Sequence, residues 1–145
     1  MTLFADIHAT VLAALAAMEA EAVLPAGLDT RAVAVEPPRD AAHGDMATNA
    51  AMVLAKAAGM NPRDIATALA VKLAQDPRIA SADVAGPGFL NLRLTPAAWR
   101  GVVAAILDQA GGYGRSAMGQ GRRVNVEYVS ANPTGPLHVG HARGA

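Results

Sequence analysis

The sequence predicts an α+β fold over residues 1–94, with helices packed on a small antiparallel sheet. Over residues 95–145 it predicts a linker helix and then the opening strand and helix start of a doubly wound α/β domain. Three observations lead there. Apolar residues recur at spacings of three and four through 3–22, 46–58 and 61–75, which is helical periodicity. Residues 79–94 alternate on either side of Gly86-Pro87-Gly88, the pattern of a hairpin. Residues 122–143 read as strand, tight loop and helix start in that order.

At 145 residues the chain can bury one ordinary core, and 52% apolar with only 3% aromatic residues suits close packing of alanine-rich helices. Twelve basic residues balance twelve acidic ones, so any contact with RNA is expected through a local site or with more protein beside it, rather than by generic charge. The absence of cysteine removes disulfide and thiol chemistry and agrees with a reducing compartment. Asp6 and the lack of a basic start argue against a signal peptide, and no uncharged apolar run of about 18 residues is present. A cytoplasmic protein without a membrane span is therefore expected. The chain stops at Ala145, within the early turns of its last helix. One strand cannot complete a doubly wound sheet, so a fragment of a longer protein is expected.

In order, residues 3–22 carry a stripe of Phe4, Ile7, Val11, Leu15, Met18 and Ala22, with Thr2 as N-cap and Leu24-Pro25-Ala26-Gly27 as the stop. His8 lies beside the stripe and reads as a hydrogen-bonded boundary residue. Ala32 to Glu36 is a short strand closed by Pro37-Pro38. Met46 to Ala58 reads as a second helix with Asp45 as its N-cap, after a tight His43-Gly44-Asp45 turn that is also open to an RNA contact. Asn61-Pro62 starts a third helix, a cap followed by an N1 proline, with Ile65, Leu69 and Leu73 inward and Asp76-Pro77 ending it. Thr95-Pro96 repeats that start for a fourth helix, whose expected buried stripe is Trp99, Val102, Val103, Ile106 and Leu107. Glycines from Gly111 to Gly121 make a linker.

Two places carry chemistry. In the second hairpin arm Leu90, Leu92 and Leu94 share the core face, which leaves Phe89, Asn91 and Arg93 in a row on the other. An aromatic, an amide and a cation in that order can stack a splayed base, read its edge and hold a phosphate. An ordinary solvent face with one half-covered phenylalanine is the plain alternative. The second place is the C-terminal stretch, where Val124, Val126, Tyr128 and Val129 form a strand run and Ser130 to Pro136 a turn-rich loop. Leu137 to Arg143 then opens a helix, with Pro136 just inside its start. A helix N-terminus after such a loop favours phosphate. His138 and His141 lie three apart and so project from one side, and Gly140 between them lets a flat base approach the backbone. Glu127, Ser130 and Asn132 stand where open α/β sheets bind ligands. A metal site on the two histidines would need further ligands that the sequence does not place.

Ala131 to His141, ANPTGPLHVGH, resembles the HIGH-type signature of class I aminoacyl-tRNA synthetases, in the version of the bacterial arginyl-tRNA synthetases. The flanking VNVEYVS and ARGA, the segment HGDMATNAAMVLAK and the segment VAGPGFLNLRL resemble the same family, so the resemblance covers nearly the whole chain. It implies a Rossmann-like catalytic domain and arginine–tRNA ligation. ATP and L-arginine would give arginyl-adenylate and pyrophosphate, and the arginyl group would pass to the terminal adenosine of tRNA(Arg). His138 and His141 would be catalytic and, with Gly140, bind ATP, which is expected with Mg2+. Glu127, Ser130 and Asn132 would line the arginine pocket, and Phe89 and Asn91 would meet a nucleotide of the tRNA D-loop. No protein-bound metal is implied, and the full-length protein would be a monomer. Gly135 stands where some members carry a lysine, so a KMSKS-type lysine is expected in the rest of the protein. The fragment alone is expected to be inactive. The rival expectation is a non-catalytic tRNA-binding module or truncated paralogue. An unrelated H-x-G-H nucleotidyltransferase would have no use for a separate domain ahead of the site.

Overall fold

The computed structural model describes residues 2–38, 40–130 and 134–143. Two compact units divide the chain, Met1–Tyr113 and Gly114–Ala145. The first contains α1 (Leu3–Ala20), β1 (Val35–Glu36), β2 (Met46–Thr48), α2 (Ala50–Ala58), α3 (Pro62–Leu73), β3 (Ile79–Ala85), β4 (Phe89–Leu94) and α4 (Pro96–Gln109). Its four strands form one antiparallel sheet in the order β1-β2-β4-β3. The expected helices on a small antiparallel sheet are thus found.

The helices begin where side chains can satisfy their free amides. Thr2, Asn61 and Thr95 accept from the amides of Ala5, Arg63 and Ala98 at 3.3, 2.9 and 3.3 Å, and Pro62 and Pro96 follow where a missing N–H costs nothing. α1 buries Ile7, Val11, Leu15 and Met18, while Phe4 is partly covered and Ala22 lies beyond the helix at φ +58°. By length and composition α1, with mean hydropathy 1.5, would pass for a membrane span. A core helix passes the same test, and its apolar stripe packs in the core here. α1, α2 and α3 cover one face of the sheet, meeting Met46, Thr48, Leu90, Leu92 and Leu94 from the strands. His8 Nε2 lies 3.0 Å from the Val33 carbonyl, the satisfied role its position suggested.

Three expectations are corrected. Met46, Ala47 and Thr48 are not the first turn of a helix; they form β2, paired with both β1 and β4, because the ladder partners outweigh the helix preference of Met and Ala. The helix begins at Ala50, whose amide is capped by the Thr48 hydroxyl at 3.3 Å, while Asn49 accepts from the Ala34 amide at 2.8 Å. Asp45 is therefore no helix cap. In α4 the expected buried stripe is largely exposed, Leu107 at 75% and Val103 at 56%, and only Ala98 is buried. Among the described residues of the first unit, no sheet or helix covers the Val103 and Leu107 side of α4.

The third correction concerns the second unit. Residues 122–130 pair with no strand among the described residues, and Val124, Val126 and Tyr128 are exposed. Val129 has φ +49°, a left-handed conformation that a β-branched residue in a strand cannot hold. A strand needs a neighbouring strand to take its amides and carbonyls, and the described residues of this unit offer none. Helix α5 (Val139–Ala142) is real but begins later than expected, with His138 as N-cap, so Pro136 lies outside it.

Candidate nucleic-acid interface

β4 is a central strand, so its two faces have opposite duties. Leu90, Leu92 and Leu94 are 1%, 0% and 6% exposed, whereas Phe89 is 42% exposed on the other face. Cross-strand register extends that outer face into rows. Glu36, Ala47, Asn91 and Asp83 stand side by side across β1, β2, β4 and β3, and Ala85 faces Phe89 while Ser81 faces Arg93. Ala47 and Ala85 are small, so Phe89 and Asn91 border a groove of about 640 Å³ that Pro37, Pro38 and His43 wall on the far side. The residues expected to meet RNA, Phe89 and Asn91, are thus brought together on one open surface.

The supports of this surface are specific. Gly88 precedes Phe89 at φ +144°, and a Cβ there would lie 2.8 Å from the Pro62 side chain. The start of α3 therefore packs directly under the β3–β4 turn, and Arg63 donates from Nη1 to the Gly86 carbonyl at 2.6 Å. At the other end Arg93 donates to the Ala42 carbonyl at 2.5 Å, holding the short 3-10 turn Ala41–His43. Gly44 follows at φ +125°, where a Cβ would meet the Leu92 carbonyl at 2.7 Å, so only glycine lets this turn lie on β4. Asp45 is spent on backbone, and His43 is left lining the groove. Sequence reasoning reached the His43-Gly44-Asp45 turn but not the division of labour within it. It missed Arg63 altogether, since contact with a turn 23 residues away leaves no local signal.

A second hollow of about 400 Å³, between the start of α1 and α4, is lined by Leu3, Val102 and Tyr113 with Asp6 and Arg78. Arg78 is committed there to Asp76 at 2.6 Å and to the Thr10 hydroxyl at 2.6 Å. The guanidinium holds the Asp76 carboxyl below the usual carboxylate range, partial burial opposing it.

In the second unit the expected site residues meet in pairs. The Ser130 hydroxyl donates to Glu127 at 2.7 Å. His138 Nδ1 accepts from the Gly140 amide and His141 Nδ1 from the His138 amide, each at 3.1 Å, and the two rings sit 3.9 Å apart. With Nδ1 accepting, a neutral ring carries its proton on Nε2, a donor facing away from the helix end. Asn132 lies outside the described residues. Among the described residues no three His, Cys, Asp or Glu side chains gather as a metal site would need.

The family model for the arginyl tRNA synthetase N terminal domain matches residues 5–94. The arginine–tRNA ligases of Jannaschia sp. (strain CCS1) and Paracoccus denitrificans (strain Pd 1222) are 72% and 71% identical over all 145 residues. That of Ruegeria sp. (strain TM1040) is also 71% identical over the same span. The chain covers 25% of each of these relatives. Among solved structures, Thermus thermophilus arginyl-tRNA synthetase matches at 29% identity and a TM-score of 0.45, covering 99% of this chain and 21% of that one.

Proposed function

This chain belongs to the arginyl-tRNA synthetase family, and from that premise we propose that it is the N-terminal part of an arginine–tRNA ligase, with residues 1–94 contacting tRNA(Arg) and residues 95–145 leading into a Rossmann-like catalytic domain. The observation that carries the RNA reading is the half-exposed Phe89 beside Asn91, on the outer face of a strand whose other face is core. A phenyl ring open to solvent next to a hydrogen-bonding amide suits a splayed base, here one from the D-loop.

For the ligase, L-arginine and ATP, with Mg2+, form arginyl-adenylate and release pyrophosphate. The terminal adenosine hydroxyl of tRNA(Arg) then takes the arginyl group and AMP leaves. In this reading the outward Nε2 donors of His138 and His141 stabilise charge on the phosphates as it develops, and Gly140 leaves room for adenine. Glu127, held by Ser130, suits the cationic arginine side chain, and Asn132 completes that pocket. The enzyme works as a cytoplasmic monomer.

The test is tRNA-dependent arginine charging by this chain and by the full reading frame in parallel. Charging by the long form alone supports the ligase and an incomplete catalyst in these 145 residues. A specific observation keeps one rival in view: the platform of Phe89 and Asn91 is complete within the first unit. If neither form charges while the short chain binds tRNA, and Phe89→Ala weakens that binding, the chain is a binding module.

A further inference from the structure

We propose that Arg63 and Arg93 are a pair of phosphate anchors, one at each end of the β4 platform, that fix the RNA backbone on either side of the nucleotide stacked on Phe89. The proposal rests on the RNA-binding reading above and assigns roles to residues outside the base contact. Each arginine is exposed, and each gives a hydrogen bond to a backbone carbonyl of a flanking turn, Arg63 to Gly86 and Arg93 to Ala42. A guanidinium has five N–H donors in a planar fork, so a head held by one carbonyl still presents donors and its full charge to solvent. Among the described residues, Arg31 and Arg78 are neutralised by Asp29 and Asp76, whereas neither Arg63 nor Arg93 is in an ion pair.

Placement of the acidic groups gives the pair its direction. Glu36 and Asp83 occupy the ends of the row that has Ala47 and Asn91 at its centre. A phosphate crossing the sheet along that row would meet a carboxylate on either side, and Asp83 is further fixed by the Ser81 hydroxyl at 2.9 Å. Cations lie instead along β4. Arg93 is four residues beyond Phe89, about 13 Å at about 3.3 Å per residue, and Arg63 sits at the turn just before it. The strand is thus basic at both ends and flanked by acid at its middle. An RNA chain is steered along β4, with its base on Phe89 and its phosphates at the two arginines.

Binding of an unmodified tRNA(Arg) transcript to the 145-residue chain, measured across a KCl series, tests this. Arg63→Gln and Arg93→Gln should each weaken binding severalfold at low salt. Each should also reduce the slope of log K against log[salt] by about 0.7–0.9, and the double variant by about twice that. Arg63→Lys and Arg93→Lys should keep most of the slope. Phe89→Ala should weaken binding with the slope unchanged. A role confined to bracing the turns would change affinity and thermal midpoint but not the slope. Two unchanged slopes, or a change from only one arginine, overturn the pair while leaving the base platform standing. No binding by the unaltered chain, or none lost on Phe89→Ala, overturns the RNA reading itself and the anchors with it.

Discussion

The Asp45 carboxylate accepts the Leu94 amide at 2.7 Å, while the Asp45 amide donates to the Leu92 carbonyl at 2.8 Å. One residue thereby continues the β2–β4 ladder past its last backbone pair and fixes the end of β4 against the turn that carries His43. Asp45→Ala leaves a partly buried amide without its acceptor and should cost about 1–3 kcal/mol, with Asp45→Asn costing less. Urea unfolding should show a lower midpoint at an unchanged m value.

Gly86 and Gly88 bracket the hairpin turn, yet they should respond differently to alanine. At Gly86 the backbone has φ +51° and an added Cβ meets nothing within 4 Å, so the cost is the left-handed conformation alone, about 1 kcal/mol. At Gly88 the same change adds a 2.8 Å clash with Pro62 and should cost up to about 3 kcal/mol. Because the shift reaches Phe89, tRNA binding should fall with Gly88→Ala well beyond its fall with Gly86→Ala. Paired thermal melts and binding isotherms check both.

Asp76 should leave a signature at low pH. Arg78 lowers its carboxyl from the ordinary 3.8, mainly through their side-chain hydrogen bonds. Between that value and the lower folded one, the unfolded chain binds more protons than the folded chain. The pair's contribution is therefore complete above the ordinary carboxylate range and is lost as pH falls through the folded value. Asp76→Asn should lower stability at pH 7 by about 1 kcal/mol or less, as a partly exposed pair allows. The gap from the unaltered chain should narrow on acidification from pH 5 to pH 2, read from thermal midpoints.

Side-chain truncation should separate α3 from α4. Leu69 in α3 is fully buried, and Leu69→Ala should cost about 2–5 kcal/mol. Leu107 in α4 is 75% exposed, and Leu107→Ala should stay within about 0.5 kcal/mol in this chain. Equal losses in a denaturant titration would mean that the α4 face is packed.

What was readable in the sequence was what local rules decide. Caps at Thr2, Asn61 and Thr95, the inward stripes of α1 and α3 and the alternation of β4 each follow from a few neighbouring residues. Met46-Ala47-Thr48 was misread because three helix-tolerant residues become a strand only when Leu90, Asn91 and Leu92 are laid beside them. α4 shows the converse failure: apolar periodicity says which side of a helix would be buried, not that anything covers it. Val124 to Val129 has strand composition, but no strand among the described residues pairs with it. At the candidate interface the aromatic and the amide were visible from their alternation. Arg63, which reaches the same place from α3, and the hold of Arg93 on the turn at His43 were not.

Because β4 puts the core on one face and the binding surface on the other, the two can be told apart by what selection tolerates. A library of β4 variants sorted for folding alone should lose most changes at Leu90 and Leu92 and accept many at Phe89 and Asn91. The same library sorted for supporting cell growth in the full-length protein should lose all four. The positions where the two profiles part would trace, one residue in two, the footprint of the partner on the strand.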